Sequence, residues 1–460
     1  MKRKLFPLIL LGALFFAGCN STDNAPLLST AISQIDMKSN GHIEQLSDYD
    51  SPYTACFRNK DDTYSLYIFA SPIQYETDVG IYAIIDNTVV ESNKTEFAFE
   101  NKANSIKTYF PQTLSEMFRV EKDAEFIDFS PNWDVSGFSK AKQTVFINMY
   151  GDKVSAVIYE RNDMDLAFYP TKAGIKAEII LKEKPDNNEF SFKVKSGAAS
   201  FENKQNGYIL FKNGGEIENI IYQPLVQYTA DKGQLLDVTT QMSINREGDD
   251  YYVEMIIDEN IINNAKTEYP INLDPSFEMY LNKMPDSTIY SGFKVNNYLC
   301  HYAVIGEHPI LGEGLHFARL RLNYYMTLKS ENVKSTMYFI KPLCYNTDVD
   351  DFKLYKSVAQ WSSTQMLWES KSRQGDLITS SATFSNGYLE FPMSDYVKEC
   401  FDDPKWKKEA VGFLMKVEKE NAYSIMTTSD NSLYTPFLKI DLIKLPAYFE
   451  PKNDINQVPF

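Results

Sequence analysis

Short runs in which apolar and polar residues alternate recur along the chain, separated by clusters of Gly, Asn and Asp. Thr63 to Ala70, Gly80 to Ile85, Glu96 to Phe99, Lys142 to Met149 and Lys153 to Tyr159 are of this kind. Ile175 to Leu181, Glu189 to Val194, Gly207 to Phe211 and Tyr251 to Ile257 follow. A period of two puts alternate side chains on opposite faces of a strand, and the Val, Ile, Thr, Tyr and Phe that fill these runs suit a pleated, half-buried surface. Asn59-Lys60-Asp61-Asp62, Tyr150-Gly151-Asp152, Asn213-Gly214-Gly215 and Glu247-Gly248-Asp249-Asp250 read as the turns between them, at a spacing that suits hairpins. The pattern predicts a mostly β fold. Two short helices interrupt it. Thr113-Leu114-Ser115-Glu116 has the order of a capping box, and Ser394 to Phe401 predicts a helix capped by Ser394, with Tyr396, Val397, Cys400 and Phe401 on its inner side.

Tyr269-Pro270-Ile271-Asn272-Leu273-Asp274-Pro275 brackets a short alternating strand between two prolines, through which no helix can run. It divides the chain into an N-terminal β-rich region, residues 41–275, and a C-terminal β-sandwich of the jelly-roll type, residues 276–445, followed by a polar tail, 446–460. With 460 residues, 43% of them apolar and 14% aromatic, both parts have enough material for a core of their own. The expectation is two separable modules.

Charge removes one class of partner. A formal net charge of −16 repels polyanions, since nucleic-acid binding depends on Lys and Arg neutralising phosphates. The first residues specify a compartment: Lys2, Arg3 and Lys4, the apolar run Leu5 to Phe16, then Ala17-Gly18-Cys19. The run is shorter than the roughly 20 residues that span a bilayer. Charged n-region, short h-region and small residues before a cysteine resemble a bacterial lipoprotein signal, which implies cleavage after Gly18 and a lipid on Cys19. The implied location is the extracellular face of a bacterial membrane. Residues 20–40, polar and without a sustained period, read as a flexible tether. Cys56, Cys300, Cys344 and Cys400 allow two disulfides in three pairings, and buried free thiols are the equal alternative.

Val79 to Thr88, Asp165 to Tyr169 with Gly174 to Leu181, and Tyr269 to Pro275 resemble, in that order, the N-terminal region of large bacterial wall-associated and YD-repeat surface proteins. Asp286-Ser287-Thr288-Ile289-Tyr290, Ala303 to Gly306, Phe317 to Leu322, the pair Trp361 and Trp368, and Pro436 to Ile440 resemble the DNRLRE domain family, which is similar to carbohydrate-binding β-sandwiches. Trp368-Glu369-Ser370 departs from that family's Trp-Asn-Asn, and no YD repeats follow. The resemblance implies that Trp361 and Trp368 are core, and that a glycan-binding function belongs to the C-terminal part.

Candidate chemistry is sparse. Four histidines, His42, His301, His308 and His316, and the lack of a GxSxG or HExxH pattern argue against a serine hydrolase or a zinc protease. No cofactor is implied. Asp348, Asp350 and Asp351 cluster oxygens of the kind calcium takes, without the glycine and terminal Glu of an EF-hand; a solvated turn is the plainer reading. Exposed aromatics remain as sugar-stacking candidates: Trp406, set among lysines, and Tyr252 and Tyr325, one from each of the pairs Tyr251-Tyr252 and Tyr324-Tyr325, whose alternation sends one ring outward. The reading is a lipid-anchored, non-enzymatic surface protein that binds or scaffolds, with polysaccharide or cell wall as partner. A polysaccharide hydrolase or lyase would instead need acids converging in a cleft. A purely structural or assembly protein would show neither.

Overall fold

The computed structural model describes residues 41–204, 208–222, 224–230, 234–281, 286–297, 302–308, 311–320, 322, 327–345, 347–357, 366–371, 374–403, 411–431 and 433–446. Antiparallel strands dominate, as the alternation predicts. They form four large sheets and one isolated hairpin, Gln74–Glu76 with Tyr82–Ile84, and no sheet closes into a barrel.

Two sheets face each other in a body formed by residues 86–281. One runs, in spatial order, Gln241–Glu247, Asp250–Ile256, Glu189–Ser196, Glu125–Pro131, Phe118–Lys122, Lys107–Phe110, Phe99–Ala103, Asp86–Glu91. The other runs Lys142–Ile147, Lys153–Glu160, Met164–Pro170, Gly174–Leu181, Ser276–Met279, Glu216–Tyr222, Tyr208–Asn213, Ser200–Lys204. Leu225–Ala230, Gln234–Thr239 and Glu268–Leu273 attach at its side. Alternation turns Phe118, Phe129 and Phe192 of the first sheet toward Phe168 and Phe277 of the second, all fully buried. Phe129 stacks on Phe277 at 3.8 Å between ring centroids, and Phe118 meets Phe168 at 4.1 Å. Gly174 is required where its strand meets Ser276–Met279, because a Cβ there would lie 2.1 Å from the Phe277 carbonyl oxygen.

The second body contains both ends of the described chain. Its seven-stranded sheet runs His42–Gln45, Thr54–Asn59, Tyr64–Phe69, Phe437–Leu442, Val333–Ile340, Tyr388–Pro392, Thr383–Ser385. It packs on a nine-stranded sheet that includes Tyr302–His308, Gly312–Leu320, Val411–Val417 and Phe352–Ser357. Leu66, Ile68 and Ile440 from the first sheet meet Ile305, Phe413 and Met415 from the second. The helix Ser394–Asp402 buries Tyr396, Val397, Cys400 and Phe401, the predicted inner face. Its N-cap is Met393, however; the Ser394 hydroxyl oxygen instead accepts the Thr336 N–H at 2.9 Å, joining the helix to the neighbouring strand.

Two expectations are corrected. The boundary at residue 275 runs through the middle of a sheet. Glu268–Leu273 and Ser276–Met279 are successive stretches paired with the same strand, Leu273 opposite Ile179 and Ser276 opposite Lys176, so Pro275 marks a kink within one element. The N-terminal residues 42–69 belong to the sheet completed by Phe437–Leu442. The protein is thus a β-sandwich with a second sandwich inserted after its first strands. An alternating pattern reports which face of a strand is buried and is silent about its partner, so partners more than 300 residues away leave no local trace. The other correction concerns Thr113 to Glu116. One of the two capping contacts forms, with the Thr113 N–H donating to the Glu116 carboxylate at 3.1 Å, yet the segment is a turn, because the strand Phe118–Lys122 begins two residues later.

Candidate functional site

The residues singled out in the sequence do not converge. Cys19, Tyr324, Tyr325, Trp361 and Trp406, together with His301 and Cys300, lie outside the described residues. Trp368 is half-buried against Ile289, Phe317 and Tyr355, and Lys371 sits over its ring at 3.2 Å, so the ring is covered by a cation. Cys56 and Cys400 are buried free thiols, both pushed up to about 12 by burial. His308 lies opposite Gly312, four residues short of the buried His316. Among the described residues no group of three His, Cys, Asp or Glu side chains is placed to hold a metal.

Asp348 and Asp351 are committed to a reciprocal cap on a short turn of helix, Val349–Asp351. Asp351 also accepts the Thr347 hydroxyl at 2.8 Å, and Lys419 approaches both carboxylates, at 2.9 and 3.4 Å. A lysine thus already neutralises the charge that calcium would neutralise.

Tyr252 stands on the outer face of the eight-stranded sheet, because Tyr251 and Val253 point into the core. It lies in register between Asn245 and Lys193. The same face carries Arg119, held by Asp128 through two bonds of 2.7 Å and lying over the Phe126 ring at 5.2 Å. Further along, Lys94 covers Tyr109 at 4.1 Å, and Tyr109 stacks on Phe97 at 4.9 Å. Tyr252, Phe126 and Phe97 are thus partly exposed on this side, whereas Tyr109 is buried beneath Lys94 and Phe97.

A second polar constellation, drawn from residues the sequence reading took as a hairpin turn and as the short strand between two prolines, lies largely buried where the two sandwiches meet. The turn Asn148–Asp152 joins Lys142–Ile147 to Lys153–Glu160, with Gly151 at φ +82°, a conformation that disfavours any Cβ. The Asn148 side chain shapes it by accepting the Tyr150 and Asp152 N–H groups at 3.0 Å each. Tyr150 then donates to Asp274 Oδ2 at 2.6 Å, as Tyr302 of the outer sandwich does at 2.9 Å. Lys176 Nζ pairs with the same oxygen at 2.7 Å, and Asp274 Oδ1 accepts the Leu225 N–H at 2.7 Å. Asp152 pairs with Lys341 at 2.7 Å and accepts the Tyr434 hydroxyl. Asn148 reaches Tyr434 at 3.0 Å, and Lys172 donates to Thr435, whose hydroxyl also meets Ser71 at 2.5 Å. Every bond in this last group except the Ser71 contact joins the two sandwiches.

Beneath the turn is Glu178, buried in the strand Gly174–Leu181. Its Oε1 accepts the Tyr169 hydroxyl at 2.8 Å, and both its oxygens lie 3.1 Å from the Met149 N–H. Burial raises this carboxyl to about 8. Burial likewise lifts Tyr150, Tyr169 and Tyr434 well above the usual phenol value, which keeps them donors. Its acids and bases are paired with one another and across the two bodies, so its chemistry is attachment. A cavity of about 20 Å³ in the outer sandwich, bordered by Asp286, Arg319, Tyr338 and Ser429, has room for one water and none for a sugar.

Fold and site together define an antiparallel β protein in which one sandwich is inserted into another and locked to it by buried polar groups. No family model matches the chain, and no curated protein matches it. Among solved structures, the N-terminal domain of a Streptococcus gordonii adhesin aligns over 86% of this chain and 88% of its own, at 8% identity and a TM-score of 0.14. An exo-β-1,3-galactanase from Phanerochaete chrysosporium, solved with galactose, aligns over 86% and 94%, at 10% identity and a TM-score of 0.10. At such TM-scores neither alignment speaks to the fold or function of this chain.

Proposed function

We propose that this is a non-enzymatic surface protein, held to the outer face of a bacterial membrane by a lipid on Cys19 and displaying a β-built platform that binds polysaccharide. The observation that carries the binding reading is the outer face of the eight-stranded sheet, where the partly exposed Tyr252 stands between Asn245 and Lys193. A sugar ring stacks its C–H face on an aromatic ring while charged and amide neighbours take its hydroxyls. On this reading the platform belongs to the inserted sandwich, whereas the resemblance implied the C-terminal part.

A glycan array probed with residues 20–460 tests the reading. Tyr252→Ala is expected to weaken retention of the bound glycan about tenfold while leaving the melting temperature unchanged, because one face of the ring is free of the core. An array on which no glycan is retained leaves a scaffolding or assembly role in its place. Anchoring is tested separately by feeding cells a fatty-acid probe. The wild-type protein should be labelled and Cys19→Ala should not, since the thiol is the attachment atom. Absence of label on the wild type would refute the anchor.

A further inference from the structure

We propose that Lys176 and Asp274 condense into an intramolecular amide, Lys176 Nζ to Asp274 Cγ, formed by the folded chain from its own side chains with release of one water. The ion pair is the reactant state, and the sheet holds it in place. The Ala177 N–H donates to the Pro275 carbonyl at 2.8 Å and Lys176 lies in register with Ser276, so the strand Gly174–Leu181 presents the amine to the kink that carries the acid. Nζ is 2.7 Å from Asp274 Oδ2, between side chains 5% and 1% exposed. Reactants fixed in contact and aligned react as though each were at about 10⁵–10⁸ M. The residue after Asp274 also matters. Pro275 has no N–H, so the backbone nitrogen that would otherwise compete for the aspartyl carbon is blocked.

An ammonium and a carboxylate contain the atoms of an amide and a water, so no further reactant is needed. One proton first crosses the ion pair from Nζ to Oδ2, leaving an amine and a carboxylic acid, which a buried site tolerates better than two charges. The nitrogen lone pair then bonds to Cγ, and the Cγ–Oδ2 bond breaks with its electron pair on Oδ2. The Tyr302 hydroxyl carries the second proton. It accepts from Nζ at 3.0 Å and donates to Oδ2 at 2.9 Å, so it touches both reacting atoms. Tyr150 also donates to Oδ2, at 2.6 Å, which favours its departure as water. Oδ1 becomes the amide oxygen, and the Leu225 N–H already donates to it at 2.7 Å, where negative charge gathers during attack. Because Tyr302 belongs to the outer sandwich, the site is complete only once the two bodies have docked.

Tryptic mapping of the denatured full chain by mass spectrometry tests the bond, since trypsin does not cut after an amidated lysine. In wild type, residues 173–182 should be recovered uncut at Lys176 and joined to residues 267–283, lighter than the two peptides together by one water. Asp274→Ala should give the two stretches separately, with cleavage at Lys176. Tyr302→Phe keeps the ring and removes the relay, so linking followed from the end of cell-free synthesis should be about a hundredfold slower, the scale of a lost proton-transfer group. Wild type recovered as separate peptides, cut at Lys176, would overturn the amide. Linking at the wild-type rate in Tyr302→Phe would overturn the relay. Should either variant fail to fold, the wild-type map still decides the bond, because it requires no substitution.

Discussion

A fragment of residues 276–445 is expected to stay unfolded in water, showing no cooperative thermal transition by circular dichroism. Removing everything before Ser276 takes away Tyr64–Phe69, the partner of Phe437–Leu442, and the two strands beyond it. Cys56, Leu66 and Ile68 leave the core of the outer sandwich, and Phe57, Tyr67 and Phe69 leave the opposite face of the same sheet. Large apolar side chains contribute about 1.5–3 kcal/mol each when buried, so this set amounts to roughly 10 kcal/mol. That is comparable to the whole stability of a typical domain, about 5–15 kcal/mol. The fragment also carries Ser276–Met279, which belongs between Gly174–Leu181 and Glu216–Tyr222. Residues 86–281, by contrast, hold both faces of their own core and should melt cooperatively. A sharp melt from 276–445 would contradict the insertion topology.

Asp274→Ala should cost about 3–5 kcal/mol in urea denaturation, the range for breaking a buried ion pair from one side. The side chain is 1% exposed, and its loss strands Lys176, itself 5% exposed, together with the Tyr150 hydroxyl and the Leu225 N–H. Much of that cost comes from the orphaned ammonium. Removing it as well, in Asp274→Ala with Lys176→Met, should recover part of the loss, since an apolar side chain of similar length tolerates the site. A single variant as stable as wild type would show that the cluster contributes nothing net. A double variant no better than the single would show that the hydroxyl and backbone donors, and not the ion pair, set the cost.

The sequence revealed local structure where side-chain pattern and backbone geometry agree. Lys153–Glu160, Gly174–Leu181 and Asp250–Ile256 fall within a residue or so of the alternating runs, and the inner face of the helix Ser394–Asp402 follows from its spacing. Organisation was less legible. Prolines at 270 and 275 look like a boundary because proline interrupts pairing, yet an interruption inside a sheet and one between domains read the same in one dimension. The polar cluster was hidden for a related reason. Lys176, Glu178 and Asp274 sit in apolar-flanked segments, and the one available signal was an acid and a base inside the run Gly174 to Leu181, which otherwise reads as fully buried strand. Tyr302, Lys341 and Tyr434 carry no such mark.

The insertion also sets an order of events during synthesis. Ser65 and Asp441 share a hydrogen bond of 2.7 Å across 376 residues of chain. The inserted sandwich has all its strands by Met279 and pairs them largely with near neighbours, so it can form while the rest is still being made. The strands within 42–69 pair with one another early, but the outer edge of Tyr64–Phe69 waits unpaired for Phe437–Leu442, the closing strand of their sheet. Until that strand arrives they need a chaperone more than any other part of the chain, and truncation near the C-terminus would leave a well-folded middle carrying a sticky beginning.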